Sequence, residues 1–180
     1  MAWPVTSTRT VYENRWIRVD EDAVVMPDGS PGVYGVVTMR NDAVFVVALD
    51  EEDRVLLVEV DRHTVGVSLE VPAGGSDGED PLIAAQRELL EETGLAAGSW
   101  TRIGGMTALN GICRAPEHVF LARDLRVVSD SSAARHEEGI TSLSWLPLSE
   151  VPQAVATGRI TDSETLAALL MALVAVGRVD

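Results

Sequence analysis

Residues Gly74 to Leu95 read GGSDGEDPLIAAQRELLEETGL, and the second half of this stretch carries its own helix boundaries. Asp80 suits the N-cap, where a short side-chain acceptor satisfies an orphan backbone N–H. Pro81 suits the first helical position, and Gly94 the left-handed residue that closes the C-terminus. The spacing predicts a helix over 81–93, a little under four turns. Glu88, Glu91 and Glu92 fall three and four apart on it, which puts their Cβ atoms within about 5–6 Å on one face. Leu82, Ala85 and Leu89 form a separate apolar stripe that can seat the helix on a sheet, so the acidic face is expected to point outward.

Like charges at helical spacing repel by a few tenths of a kcal/mol even when solvated, and a hard cation offsets that repulsion. Magnesium takes carboxylate oxygens while keeping waters and binding substrate phosphates, so an open carboxylate cluster is suitable chemistry for it. Arg87 stands four before Glu91 and can hold a carboxylate without displacing a metal. The alternative is a solvated helix face, since Glu and Arg are good helix formers and charge runs are common there. The residues around the helix decide between the two.

Upstream, alternation in Tyr12 to Asp20 and in Ala23 to Met26 reads as two strands. Pro27-Asp28-Gly29-Ser30 is a turn leading into a strand at Val33 to Thr38. This is an antiparallel N-terminal arm. Ala43 to Leu49 is continuously apolar, as a strand covered on both faces must be, and Arg54 to Val58 is expected to be its partner. Leu69 to Gly78 begins extended and ends as a glycine-rich loop. Downstream, Trp100 to Met106, His118 to Leu125 and Ile140 to Leu146 read as strands. Leu148-Ser149-Glu150 opens a short helix, and Thr161 to Glu164 opens a longer one running to about Val176, stopped by Gly177. Mixed rather than alternating elements indicate an α+β fold with a mixed sheet.

At 180 residues with 46% hydrophobic and 23% charged content, the chain is long enough to bury a core as one unit without staples. The single cysteine, Cys113, precludes an internal disulfide, fits a reducing compartment, and is expected to be a buried small side chain. Net charge is −14, and every basic residue is arginine. A phosphate-backbone binder needs clustered positive charge, so nucleic acid is not expected as a partner. The N-terminus lacks a basic segment followed by an apolar run, and the longest apolar stretch, Leu166 to Val176, is too short to cross a bilayer. A cytoplasmic protein without membrane contact is expected.

The stretch from Gly74 resembles the Nudix box: a glycine, a spacer, a glutamate, seven residues, then Arg-Glu-(apolar)-any-Glu-Glu-any-Gly-(apolar). Here Glu79, Arg87, Glu88, Leu89, Glu91, Glu92, Gly94 and Leu95 match. Average residue usage gives chance odds of roughly 10⁻⁸ per starting point. Four residues separate Gly74 from Glu79 where the family has five, so this loop must run tighter. Glu79 itself is either a helix-capping carboxylate or a support for the metal. The resemblance implies a Nudix fold, a mixed sheet sandwiched between helices. It also implies hydrolysis of a pyrophosphate bond assisted by Mg²⁺, or Mn²⁺ in its place, through charge neutralisation and nucleophile generation. Glu88, Glu92, Glu91 and the carbonyl of Ala73 are the implied metal ligands, with Arg87 and Glu91 in the catalytic set.

Outside the box, Glu70-Val-Pro-Ala-Gly74 is similar to the segment leading into it in ADP-ribose pyrophosphatases, and Val11 to Trp16 with Pro27 to Gly29 is similar to their N-terminal arm. That group implies residues 1–40 as a dimerising arm of the same unit and 41–180 as the Nudix hydrolase domain, in a homodimer whose arms help build each other's nucleoside pocket. Its implied substrate is a nucleoside diphosphate sugar, ADP-ribose foremost, giving a nucleoside monophosphate and a sugar phosphate. A Nudix hydrolase of triphosphates or dinucleotides, and a non-catalytic nucleotide-sugar binder, are the alternatives. The resemblance assigns Arg62 and Glu70 to substrate binding, Trp16 to stacking on the base, Arg114 and Glu117 to further contacts, and Glu138, then Glu137, to the general base.

Overall fold

The computed structural model describes residues 3–178. In chain order the strands and helices are β1 (Val5–Glu13), β2 (Ile17–Val25), β3 (Pro31–Met39), β4 (Ala43–Ala48), β5 (Arg54–Arg62), β6 (Gly66–Glu70) and β7 (Ala73–Gly75); then α1 (Pro81–Thr93), β8 (Leu95–Thr107), β9 (Cys113–Arg114) and β10 (Pro116–Val127); then α2 (Ser132–Glu137), β11 (Ile140–Pro147), α3 (Val151–Ala156) and α4 (Ser163–Ala175). No helix among the described residues is long and apolar enough to cross a membrane.

The arm is a meander, β1-β2-β3, with β9 added in parallel to β3 through Val37 and Thr38. Its first turn falls inside the segment Tyr12 to Asp20 that alternation marks as one strand. The Asn14 side-chain oxygen accepts the backbone N–H groups of Trp16 and Ile17, both at 2.9 Å, and this Asx turn reverses the chain where hydrophobic alternation alone would continue it. β2 turns Asp20 and Asp22 into the arm, buried and satisfied: Thr10 and Arg18 donate to Asp20, and Thr8 to Asp22.

β4 is covered on both faces. Val44, Val46 and Ala48 pack with Ala84, Ala85 and Leu89 of α1, while Val47 and Leu49 pack with Ala168, Leu169 and Ala172 of α4. The helices thus clasp a mixed sheet in the order β7-β4-β10-β8, in which β4 runs parallel to β10 and the other pairs are antiparallel. This is the Nudix sandwich expected from the box. The expected pairing of Arg54 to Val58 with β4 is not found. β5 joins a second sheet, β11-β5-β6, and its only backbone pairing with the β4 segment among the described residues is a bridge between Leu49 and Val55. Both edges of β4 are taken, by β7 and β10, which leaves β5 to pack across rather than beside it.

α1 has the expected limits. Asp80 accepts from the Leu82 N–H, and Gly94 takes φ 74° while donating to the Leu90 carbonyl. A Cβ at Gly94 would run into the carbonyl oxygen of Ser129, so close approach as well as backbone sign requires glycine there. Burying Leu89 completely stabilises the seat of the helix by about 1.5–3 kcal/mol. α4 is capped by the Asp162 carboxylate on the Thr165 N–H, one residue inside the expected start.

Candidate active site

The acidic face of α1 does not point outward. Glu88 and Glu92 are 6% and 4% exposed, turned into a polar cleft between α1, β7 and the second sheet, and only Glu91 of the three is half open to water. The apolar stripe explains the difference. Ala84, Ala85 and Leu89 draw the helix so far onto β4 that the neighbouring face is carried under β7.

β7 fits against that face because Gly74 has no side chain: a β-carbon there would lie on the Glu88 carboxyl group. The backbone N–H of Ala73 donates to Glu92 Oε2 at 3.1 Å. Glu138, at the C-terminal end of α2, swings in from the opposite wall. One oxygen each from Glu88, Glu91 and Glu138 lies within 4.8 Å of the others. The cleft is closed by Val58, Val60 and Ile140 and includes Arg62, Ala73 and Gly74.

Crowding raises these carboxyls. Burial, reinforced by Glu88 and Glu138, pushes Glu92 up to about 9. Burial also raises Glu88 against the pull of Arg87, and burial with Glu91 raises Glu138. Four carboxylates facing one cleft, with a single arginine directly on them, are an oxygen-rich set short of positive charge. That donor set fits a hard divalent cation, which Glu88, Glu91 and Glu92 with the Ala73 carbonyl would hold, with Glu138 facing it from the opposite wall.

Arg87 is the brace. Its guanidinium donates to Glu79 at 3.0 Å, to Glu88 at 2.7 Å, to Glu91 at 3.2 Å and to the Gly75 carbonyl at 2.8 Å, so one side chain ties the loop before the helix to the carboxylates on it. Glu79 is therefore not the cap, a place Asp80 fills, but the anchor of Arg87. The short loop is pinned on its other side: Asn41 donates to Asp77 at 3.0 Å, and the Asp42 carbonyl accepts the Ser76 N–H at 2.8 Å. His118, to which the sequence gives no role, bonds Asp42 at 2.8 Å and Arg102 at 2.7 Å, and so belongs to this tether.

Residues 39–169 match the NUDIX domain. The chain belongs to the Nudix family. Residues 3–37 match the nucleoside diphosphate sugar hydrolase N-terminal domain. The chain is 34% identical over 171 residues to an ADP-ribose pyrophosphatase of Mycobacterium tuberculosis, spanning 91% of this chain and 80% of that one. It is 30% identical over 164 residues to a methanol dehydrogenase activator of Bacillus methanolicus, spanning 90% and 88%. A crystal structure of an ADP compounds hydrolase superposes with TM-score 0.83 at 22% identity, covering 99% of this chain and 98% of that one, a likeness of fold. The expectation of a Nudix hydrolase similar to the ADP-ribose pyrophosphatases is met.

Of the residues singled out from the sequence of this Nudix protein, Ala73, Glu88, Glu92 and Glu138 line one cleft with Arg62 on its wall, Glu91 brings an oxygen to Glu88 and Glu138, and Arg87 bonds Glu88 and Glu91. Arg62 is also paired with Glu70, at 2.6 and 3.2 Å, and both line a second cleft that shares Arg62, Ala73 and Gly74 with the first. Glu117 lies in that second cleft, 7% exposed, and its Oε2 has no partner. Glu137 is exposed on α2 and lines neither cleft. Trp16 stands at the tip of the arm, 58% exposed, with the Arg15 guanidinium 4.1 Å over its ring. Arg114 faces Asp22 at 3.7 Å in a separate hollow of the arm, lined by Trp3 and Tyr34. Cys113, expected to be buried, is half-buried in β9 on the rim of that hollow. Sequence reasoning missed Asp162 and Glu164, which join Glu117 in the second cleft. Their helix-start pattern was legible, but nothing local says that the start of α4 opens beside β10.

Proposed function

We propose that this Nudix protein hydrolyses the pyrophosphate bond of a nucleoside diphosphate sugar, with ADP-ribose foremost, in the presence of Mg²⁺ or Mn²⁺. The observation that carries the reading is the convergence of Glu88, Glu91 and Glu138 oxygens within 4.8 Å, beside the buried Glu92. A divalent ion bound there supplies charge neutralisation for the diphosphate and lowers the pKa of water. The chain's own groups do the rest. Arg62 has Nε and Nη2 engaged by Glu70, leaving Nη1 for a phosphate oxygen. Glu138 takes a proton from water as its oxygen bonds to phosphorus, and the bridging P–O bond breaks with its electron pair leaving on the departing phosphate. Arg87 and Glu79 hold the carboxylates in register.

All nine residues of β1 are exposed, Val5, Val11 and Tyr12 among them, and Trp16 stands next to them; a second copy of the chain covers such an arm in a homodimer. In that dimer Trp16 and Arg114 contact the nucleoside, residues 1–40 act as the dimerising arm of the hydrolase unit 41–180, and the setting is cytoplasmic.

The test is turnover by purified full chain of a panel containing ADP-ribose, other nucleoside diphosphate sugars, dinucleotides and nucleoside triphosphates, with Mg²⁺ and with chelator. Chelator-sensitive release of nucleoside monophosphate from ADP-ribose is expected. Turnover of triphosphates alone moves the assignment to the alternative, and none at all with retained binding makes the protein a nucleotide-sugar sensor.

A further inference from the structure

The second cleft is unusual in its charge. Arg62 is its only cation among the described residues, and Glu70 already neutralises it at 2.6 Å. Three further carboxylates line the cleft with no ion-pair partner among the described residues: Glu117, Asp162 and Glu164. Asp162 spends one oxygen on the Thr165 N–H and Glu164 spends one on the Ser163 hydroxyl. Glu117 is nine-tenths buried where β10 meets β4, with its Oε2 unsatisfied. A buried carboxylate oxygen without a donor is destabilising, and a donor-bearing ligand would relieve it. Burial, then Glu164 and Asp162, push its carboxyl up to about 7, in line with a shortage of positive charge around it.

The cleft is also placed for the substrate. It shares Arg62, Ala73 and Gly74 with the carboxylate cleft, so a diphosphate lying along β7 has one end at the acidic helix and the other at Glu117. On the reading that the protein is a diphosphate hydrolase, we propose that Glu117, Asp162 and Glu164 are a specificity filter for the group beyond the diphosphate. It admits a group that presents hydrogen-bond donors, as sugar hydroxyls do, and excludes one that carries a further negative charge. The carboxylates accept from hydroxyl donors and repel an additional phosphate in a partly desolvated space, Glu117 doing so once it is ionised above about pH 7. Glu117 and Glu164 carry the discrimination that can be tested; Asp162 also caps α4 and is left intact.

The experiment compares ADP-ribose with ADP-ribose phosphorylated on its distal ribose, and with ATP, for wild type, Glu117→Gln, Glu164→Gln and the double variant. Thermal unfolding confirms that each is folded. The wild type is expected to prefer ADP-ribose over its phosphorylated form by at least tenfold in kcat/KM. The double variant is expected to lose most of that preference through a lower KM for the charged compounds. An unchanged ratio, or an equal loss on all three substrates, overturns the filter while leaving the hydrolase reading in place. Should wild type turn over no diphosphate, which sinks that reading instead, the same ratio is read as Kd by titration calorimetry with the same compounds, and equal Kd values overturn the filter.

Discussion

The backbone N–H of Ala73 donates to the carboxylate of Glu92 at 3.1 Å, across the seam between β7 and the last turn of α1. This bond fixes the carbonyl of Ala73 and the glutamates of the helix relative to one another before any ligand arrives. It also separates the bond Glu92 makes from the role proposed for it: holding the seam needs only an acceptor, whereas neutralising a cation needs the negative charge.

Glu92→Gln keeps an acceptor and removes the charge. Because the Glu92 carboxyl lies at about 9 when no cation is near, the substitution resembles the protonated side chain at neutral pH. Its melting temperature in chelator is expected to stay near the wild-type value, while the rise on adding Mg²⁺ disappears and kcat falls by roughly 10²-fold or more. Fluorimetric unfolding with and without Mg²⁺ reads the first, and product release the second. A preserved Mg²⁺ shift would remove Glu92 from the ligand set.

Gly74→Ala places a methyl group on the Glu88 carboxyl. The flexible side chain can move aside, so folding is expected to survive with a loss of about 1–3 kcal/mol. The carboxylate cluster is displaced with it, and the Mg²⁺ concentration at half-maximal rate is expected to rise at least tenfold. Magnesium titration of activity checks this, alongside denaturant unfolding.

Arg87→Lys keeps the charge and loses the fork that reaches Glu79, Glu88, Glu91 and Gly75 together. A side chain that orients metal-binding groups without touching the substrate is expected to cost about 10–100-fold in activity. The KM for the nucleotide should move far less than kcat or the Mg²⁺ requirement. An equal change in all three would make Arg87 a substrate ligand.

The stability of the protein should also depend on pH through Glu117. Its carboxyl holds a proton in the folded state up to about pH 7, against an ordinary value of 4.5. The folded state therefore binds more protons than the unfolded chain between those values, and stability falls as pH rises through that window. Other raised carboxyls, Glu88, Glu92 and Glu138, act in the same direction in any variant. Glu117→Gln is expected to flatten part of the decline, seen as a difference in melting temperature from wild type that grows between pH 5 and 8.

The legible parts of this fold are those whose signals are local. Asp80, Pro81 and Gly94 bound α1 because caps act within one turn, and the apolar run at Ala43 to Leu49 is the buried strand it resembles. Two expectations failed where distant chain intervened. Arg54 to Val58 is a strand, but its partners are decided by competition for the edges of β4, which no neighbouring residue encodes. The acidic face of α1 was expected in water because helical periodicity gives the angle between two faces and not the depth to which the sheet draws one of them in. The clustering of Glu138 with Glu88 joins positions fifty residues apart, and Asp162 and Glu164 reach Glu117 only because α4 returns beside β10.

The parallel pairing of β4 with β10 has a kinetic side. Residues 43–48 must find 117–122, and closing a loop of about 70 residues carries an entropic cost that local helices and hairpins do not incur. That strand pair is expected to join later than the local helices and hairpins, because its loop must close before its contacts reward the closure. Until then Phe120 and Ala122 are missing from the packing under α1, and the cleft that gathers its glutamates is incomplete. Magnesium ions should therefore accelerate none of the early steps and slow only the reverse reaction, unfolding.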